Sequence, residues 1–126
     1  MRTHQVTLTD PAEAKSALRA LAPFEPALLL VFGALPYFES RDVHDELRRL
    51  CPQAAIAGCS TAGEIRGAEV RDGTCVVTGV AFGSATAVAC STRLASMADS
   101  SGAGGRLAAA LPTQGLRAVL VLGTGV

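Results

Sequence analysis

Ala27-Leu28-Leu29-Leu30-Val31-Phe32 is a run of six apolar residues between Pro26 and Gly33. It is continuous rather than alternating, the pattern of a strand buried on both faces, and Gly33 and Pro36 end it. A helix is expected before it. Asp10 is a cap, Pro11 suits the first helical position, and Glu13 sits three residues after the cap, as in a capping box. Ala14, Leu18 and Leu21 then recur at helical spacing until Pro23 and Pro26 intervene. After the run a second helix is expected from about Ser40 to Leu50, with Val43, Leu47 and Leu50 on its core face. Cys51-Pro52 closes it, and Ala54-Ala55-Ile56-Ala57 reads as another short buried strand. Val6 to Thr9 adds a short leading strand. Helix, strand, helix, strand is the order of an α/β fold.

Farther along, Cys75 to Phe82 and Ala85 to Thr92 are strand-like and separated only by Gly83-Ser84. A two-residue loop with Gly first predicts a tight hairpin. Asp99 through Gly105 reads as loop, Arg106 to Leu111 as a short helix ended by Pro112, and Arg117 to Leu122 as a last strand. The expected architecture is therefore a mixed, mostly parallel sheet with one antiparallel hairpin and helices packed against it. The last strand opens into Gly123-Thr124-Gly125, as though more were to follow. The expectation is one incomplete domain over residues 1–126, cut short at its C-terminal side.

Composition narrows the function. Hydrophobic residues make up 49% of the 126 and charged residues 17%, which suits a globular core. Lys plus Arg equal Asp plus Glu at 11 each, and aromatic residues are 4%. Such a chain lacks both the cationic surplus and the stacking platforms that nucleic acids require. Met1-Arg2-Thr3-His4-Gln5 leads into no apolar leader segment, and no apolar run approaches the roughly 20 residues that cross a bilayer. The expectation is a cytoplasmic protein without nucleic-acid or membrane partners. Cys51, Cys59, Cys75 and Cys90 show neither zinc-knuckle nor C-x-x-C spacing and are expected as reduced, buried thiols.

The chemistry-bearing stretch is Gly58-Cys59-Ser60-Thr61-Ala62-Gly63-Glu64-Ile65, at the carboxyl end of the second buried strand. Ligands of open α/β sheets gather at such ends. Small residues let backbone N–H groups approach a ligand, the hydroxyls of Ser60 and Thr61 add hydrogen bonds, and Glu64 suits an ammonium or a hydroxyl. The bland alternative is a tight turn whose hydroxyls satisfy local backbone. Enzymatic readings fail on spacing. Gly58 to Gly63 is one residue too long for a nucleophile elbow, and Glu64 stands where a P-loop needs lysine. A Cys59 nucleophile lacks a partner motif around His4 or His44. Gly102-Ala103-Gly104-Gly105 and Gly123-Thr124-Gly125 lack the context of a dinucleotide fingerprint.

These residues resemble the FIST N-terminal domain, a bacterial sensory family. Gly58 to Ile65 carries the likeness most specifically. It is supported by the Asp10-Pro11-x-x-Ala14 helix start, the Leu-Leu-Leu-Val-Phe strand, the Asp72-Gly73 turn before the expected hairpin, and Val119-Leu120-Val121-Leu122. The resemblance implies a non-enzymatic, small-ligand-binding input module for signal transduction, with amino acids as ligands. Gly58, Cys59, Ser60, Thr61, Ala62, Gly63 and Glu64 would face the ligand. It implies a C-terminal partner domain and an output protein such as a histidine kinase or a cyclic-di-GMP enzyme. Some family members resemble nitric-oxide-sensing haem proteins, so haem is a second expectation. His44 and Cys51 are its candidate ligands, seven residues apart on one side of the second helix, with His4 a third choice. A structural or protein-interaction domain is the remaining alternative.

Overall fold

The computed structural model describes residues 1–123 and divides into two compact units, Met1–Ala87 and Val88–Val126. Residues 124–126 of the expected terminal glycine loop lie outside the described residues.

The first unit is a mixed α/β layer. Its strands are β1 (Arg2–Leu8), β2 (Leu28–Gly33), β3 (Ala55–Ser60), β4 (Glu64–Arg66), β5 (Glu69–Arg71) and β6 (Cys75–Ala81). Its helices are α1 (Ala14–Ala17), flanked by 3-10 turns over Pro11–Glu13 and Leu18–Phe24, α2 (Pro36–Glu39) and α3 (Asp42–Leu50). The main sheet has the order β1-β6-β2-β3. β2 and β3 are parallel, whereas β6 runs antiparallel to both β1 and β2.

The capping chemistry at the first helix is split between two residues. Asp10 accepts the Ala12 N–H at 2.8 Å, while Glu13 reaches back to the Thr9 N–H and hydroxyl at 3.2 and 3.0 Å rather than to Asp10. Ala14, Leu18 and Leu21 are buried, as their spacing predicts. They pack with Leu29, Val31, Val43, Leu47 and Val77 in one core on the helix-covered face of the sheet. That one-sidedness corrects the reading of β2 as buried on both faces. Leu29, Val31 and Gly33 are buried, and Leu28, Leu30 and Phe32 only half so.

The expected hairpin does not form between Cys75–Phe82 and Ala85–Thr92. β6 forms, but β1 occupies one of its edges and β2 the other, so no free edge remains for a following strand. The antiparallel hairpin is β4-β5, closed by Gly67-Ala68 with Gly67 at φ +60°. Its left-handed backbone is one that glycine adopts at little cost.

The second unit holds α4 (Ser100–Ala110) after a 3-10 turn at Met97–Asp99. The expected loop through Gly105 is therefore helical. Three glycines disfavour the helix by about 1 kcal/mol each relative to alanine. Arg106 offsets this by bonding the Asp99 carboxylate at 2.7 Å, the Thr92 hydroxyl at 3.0 Å and the Arg93 carbonyl at 2.8 Å. Arg117–Leu122 is not a strand. Cys90 lies outside any helix or strand and is exposed, contrary to the expectation of a buried thiol.

Candidate functional site

One row of residues crosses the sheet on its helix-covered face. Val6, Val77, Val31 and Gly58 stand side by side on β1, β6, β2 and β3. Three valines fill that row, and the fourth place has no side chain. Gly58 is required there, since a Cβ would come within 2.0 Å of the Val31 carbonyl oxygen. The empty place is exposed on the edge strand β3, and a cleft of about 270 Å³ opens at it beside α2 and α3. Val31, Ile56 and Gly58 form its strand side, and Phe38, Val43 and Leu47 its helix side. Ser40, Arg41 and His44 supply its polar groups. Mostly apolar walls with a few polar side chains are the usual make-up of a small-molecule site.

The polar rim hangs on Asp45. His44 Nδ1 lies 3.0 Å and the Arg41 Nε 3.7 Å from Asp45 Oδ1. The His44 hydrogen bond, helped by the Arg41 charge, holds the Asp45 carboxyl below the usual range. The Arg41 side chain is 80% exposed, and this 3.7 Å approach is its one ion-pair contact among the described residues.

The predicted ligand-facing segment is not a single loop. Gly58, Cys59 and Ser60 are still in β3, and Glu64 opens β4. Only Gly58 lines the cleft. Cys59 shares its register with Phe32, on the opposite face. Ser60 and Ala62 are exposed, and Thr61 and Gly63 half-buried.

Glu64 is 2% exposed and points inward. Its Oε1 accepts the Thr61 hydroxyl at 2.7 Å, and its Oε2 accepts the Thr74 hydroxyl at 2.8 Å and the Thr74 N–H at 3.0 Å. Burial alone would raise its pKa, and is the largest single influence, but the three hydrogen bonds together carry it below the usual value. The Thr61 N–H also donates to the Gly33 carbonyl at 2.9 Å, and the Ala34 N–H to the Thr74 carbonyl at 2.8 Å. The carboxylate thus clamps the β3–β4 turn to the strand entering β6, below the carboxyl ends of β2 and β3.

Of the candidate haem ligands, His44 is on the cleft wall and half-exposed. Cys51 is in the hydrophobic core at 6% exposure, with its thiol pushed up by burial. The seven positions between them span about 10.5 Å along the helix, with His44 at the surface and Cys51 inside. His4 is on β1, at the far edge of the sheet from β3, with its ring 5.8 Å from Phe24. Among the described residues no group of three or more His, Cys, Asp or Glu is placed to hold a metal ion.

Sequence reading missed Phe38, Arg41 and Ile56 as site residues. Pro36 follows the end of β2 and begins α2, and a proline at the first helical position is itself a helix signal. No helix among the described residues is long and apolar enough to cross a membrane.

A family model described as the FIST N domain matches residues 27–126, which takes in β2, the cleft and the clamp. No curated protein and no solved structure matches the chain.

Proposed function

The chain belongs to the FIST N domain family, a family of sensory modules, and we propose that it is an input domain that receives a small ligand in the cleft beside α2 and α3. The observation that carries this reading is the gap in the valine row at Gly58, which makes a cleft against the paired parallel strands. Of the Gly58 to Glu64 segment, Gly58 is the residue on the cleft wall, and its backbone is the part a ligand would contact. No covalent step is involved. Signalling is a shift between two arrangements, limited by how differently the ligand binds each. The Thr61–Glu64–Thr74 clamp joins the β3–β4 turn to β6 and is the element such a shift would load. The output is a separate signalling domain of the kind family members accompany, such as a histidine kinase or a cyclic-di-GMP enzyme.

Amino acids and haem are the ligand classes that the family resemblance raises. For haem, the single supporting observation is His44 on the cleft wall. The test is thermal unfolding of the protein with a panel of amino acids, small carboxylic acids, amines and haemin, repeated on Ile56→Phe, which fills the cleft. A ligand at a hundred times its Kd adds about 2.7 kcal/mol, a rise of several degrees. The expected result is a rise with one ligand class that disappears in the filled variant. No rise with any panel member, or an equal rise in the folded variant, would sink the proposal.

A further inference from the structure

We infer that the cleft selects a small carboxylic acid with an apolar body, and not a zwitterionic amino acid; this rests on the cleft being the receptor site. Three observations converge on that class. Among the described residues no acidic side chain lines the cleft, and the Asp45 carboxylate at its rim is engaged by His44 and Arg41. The one carboxylate of the predicted segment, Glu64, already accepts three hydrogen bonds from Thr61 and Thr74 and faces them. The hydrogen-bonding groups on the wall suit an anion: the Arg41 guanidinium and the His44 imidazole both line the cleft, and Ser40 adds a hydroxyl.

Arg41 is the group equipped to read the anion. A guanidinium offers five N–H donors in a planar fork that matches a carboxylate. Its one ion-pair contact among the described residues is the single Asp45 approach at 3.7 Å, which leaves the fork available. Asp45 orients Arg41 and His44 from outside the lining, where a ligand carboxylate would share them. The rest of the ligand would lie on Val31, Val43, Leu47 and Ile56, surfaces that reward apolar contact. The volume of about 270 Å³ holds roughly nine waters' worth of space, which suits a single ring or a short branched chain. A haem macrocycle is much larger.

The experiment is calorimetric titration with benzoate, benzamide and benzylamine, which share one carbon skeleton, and with phenylalanine as the zwitterionic amino acid. Benzoate is expected to bind at least about tenfold more tightly than benzamide, with benzylamine and phenylalanine weaker still. Arg41→Gln, at an exposed position, should bring benzoate to the level of benzamide and leave benzamide unchanged. Ile56→Phe should abolish binding of both. Equal affinity for the acid, amide and amine, or unchanged benzoate binding in R41Q, would overturn the acid assignment. So would the absence of benzoate binding to the folded protein. If the broad panel instead yields a ligand of another class whose effect vanishes in I56F, the cleft stands as the receptor site and the acid assignment alone falls.

Discussion

Glu64 and Thr74, ten positions apart, are joined twice: one carboxylate oxygen accepts both the backbone N–H and the hydroxyl of Thr74, at 3.0 and 2.8 Å. The other oxygen holds the Thr61 hydroxyl. A buried carboxylate without a cation is costly, and here hydrogen bonding to the charged form compensates. Among the described residues Glu64 has no ion-pair partner.

Glu64→Gln should therefore destabilise the protein by about 2 kcal/mol, since charge-assisted hydrogen bonds become neutral ones and the new amide N–H meets a donor. Its sign with pH is fixed by the lowered folded pKa. The carboxylate's contribution is fully present above the unfolded value of about 4.3 and drains away as pH falls through it towards the folded value. Urea unfolding at pH 6 and pH 3.5 should show the wild type losing more stability than E64Q. Asp45, Glu46 and Asp99, whose pKa values are also lowered, are common to both proteins and cancel in the difference. Parallel pH profiles would show that the clamp carries no net charge effect.

Two glycines should answer to alanine with opposite signs. At Gly58 the new Cβ meets the Val31 carbonyl, so β3 must move away from β2, and a loss of more than about 3 kcal/mol or failure to fold is expected. At Gly104, inside α4, nothing lies within 4 Å of an added Cβ. Gly104→Ala should raise helicity and stabilise α4 by about 0.5–1 kcal/mol. Far-UV circular dichroism through thermal unfolding reads both.

The four thiols should alkylate in the order of their exposure. Cys90 is exposed and Cys59 half-buried, whereas Cys51 and Cys75 are in the interior. Burial, with a smaller contribution from the Glu64 charge, pushes Cys75 up to about 12. At pH 8 about one Cys75 in ten thousand is thiolate, by the ordinary titration relation. Iodoacetamide followed by mass spectrometry should label Cys90 first, Cys59 next, and the other two only in denaturant. Early labelling of Cys75 would contradict the packing of β6.

Tyr37 donates its hydroxyl to the Leu8 carbonyl at 3.0 Å, tying α2 to the end of β1. Burial first, and then the neighbouring Cys75, raise the Tyr37 pKa above 10. Tyr37→Phe should cost about 1–2 kcal/mol, because a buried acceptor loses its donor. A urea midpoint equal to wild type would mean that water replaces the hydroxyl.

Local signals carried much of this architecture, because they act within one element. The apolar run at Leu28–Phe32 forms a strand, the helix-spaced Val43 and Leu47 form the core face of α3, and the Asp10-Pro11 start opens a helical segment. What was not legible depends on neighbours distant in sequence. Ala85–Thr92 has the composition of a strand, but whether it pairs depends on both edges of β6 being taken. Gly102 to Gly105 reads as loop until Arg106 is seen to reach Asp99 and Thr92. The site divides the same way. Gly58 stands out as a glycine at a strand end, yet its meaning comes from the valines beside it. Phe38 and Arg41, three positions apart, meet Ile56 of β3 where that strand pairs with β2. Nothing in the run of Glu64 says that its carboxylate turns inward.

The place of β6 also bears on the order in which the molecule can be made. Among the described residues β1 pairs with no strand but β6, and its register joins Arg2 to Ala81 across nearly the whole first unit. As the chain leaves the ribosome, β2 and β3 can pair early, but β1 must wait for Cys75–Ala81 to arrive and slot between it and β2. Contacts of such long sequence separation slow folding. Until that moment two strand edges stand open side by side, and substitutions in Cys75–Ala81 should therefore show in yield and aggregation before they show in any binding assay.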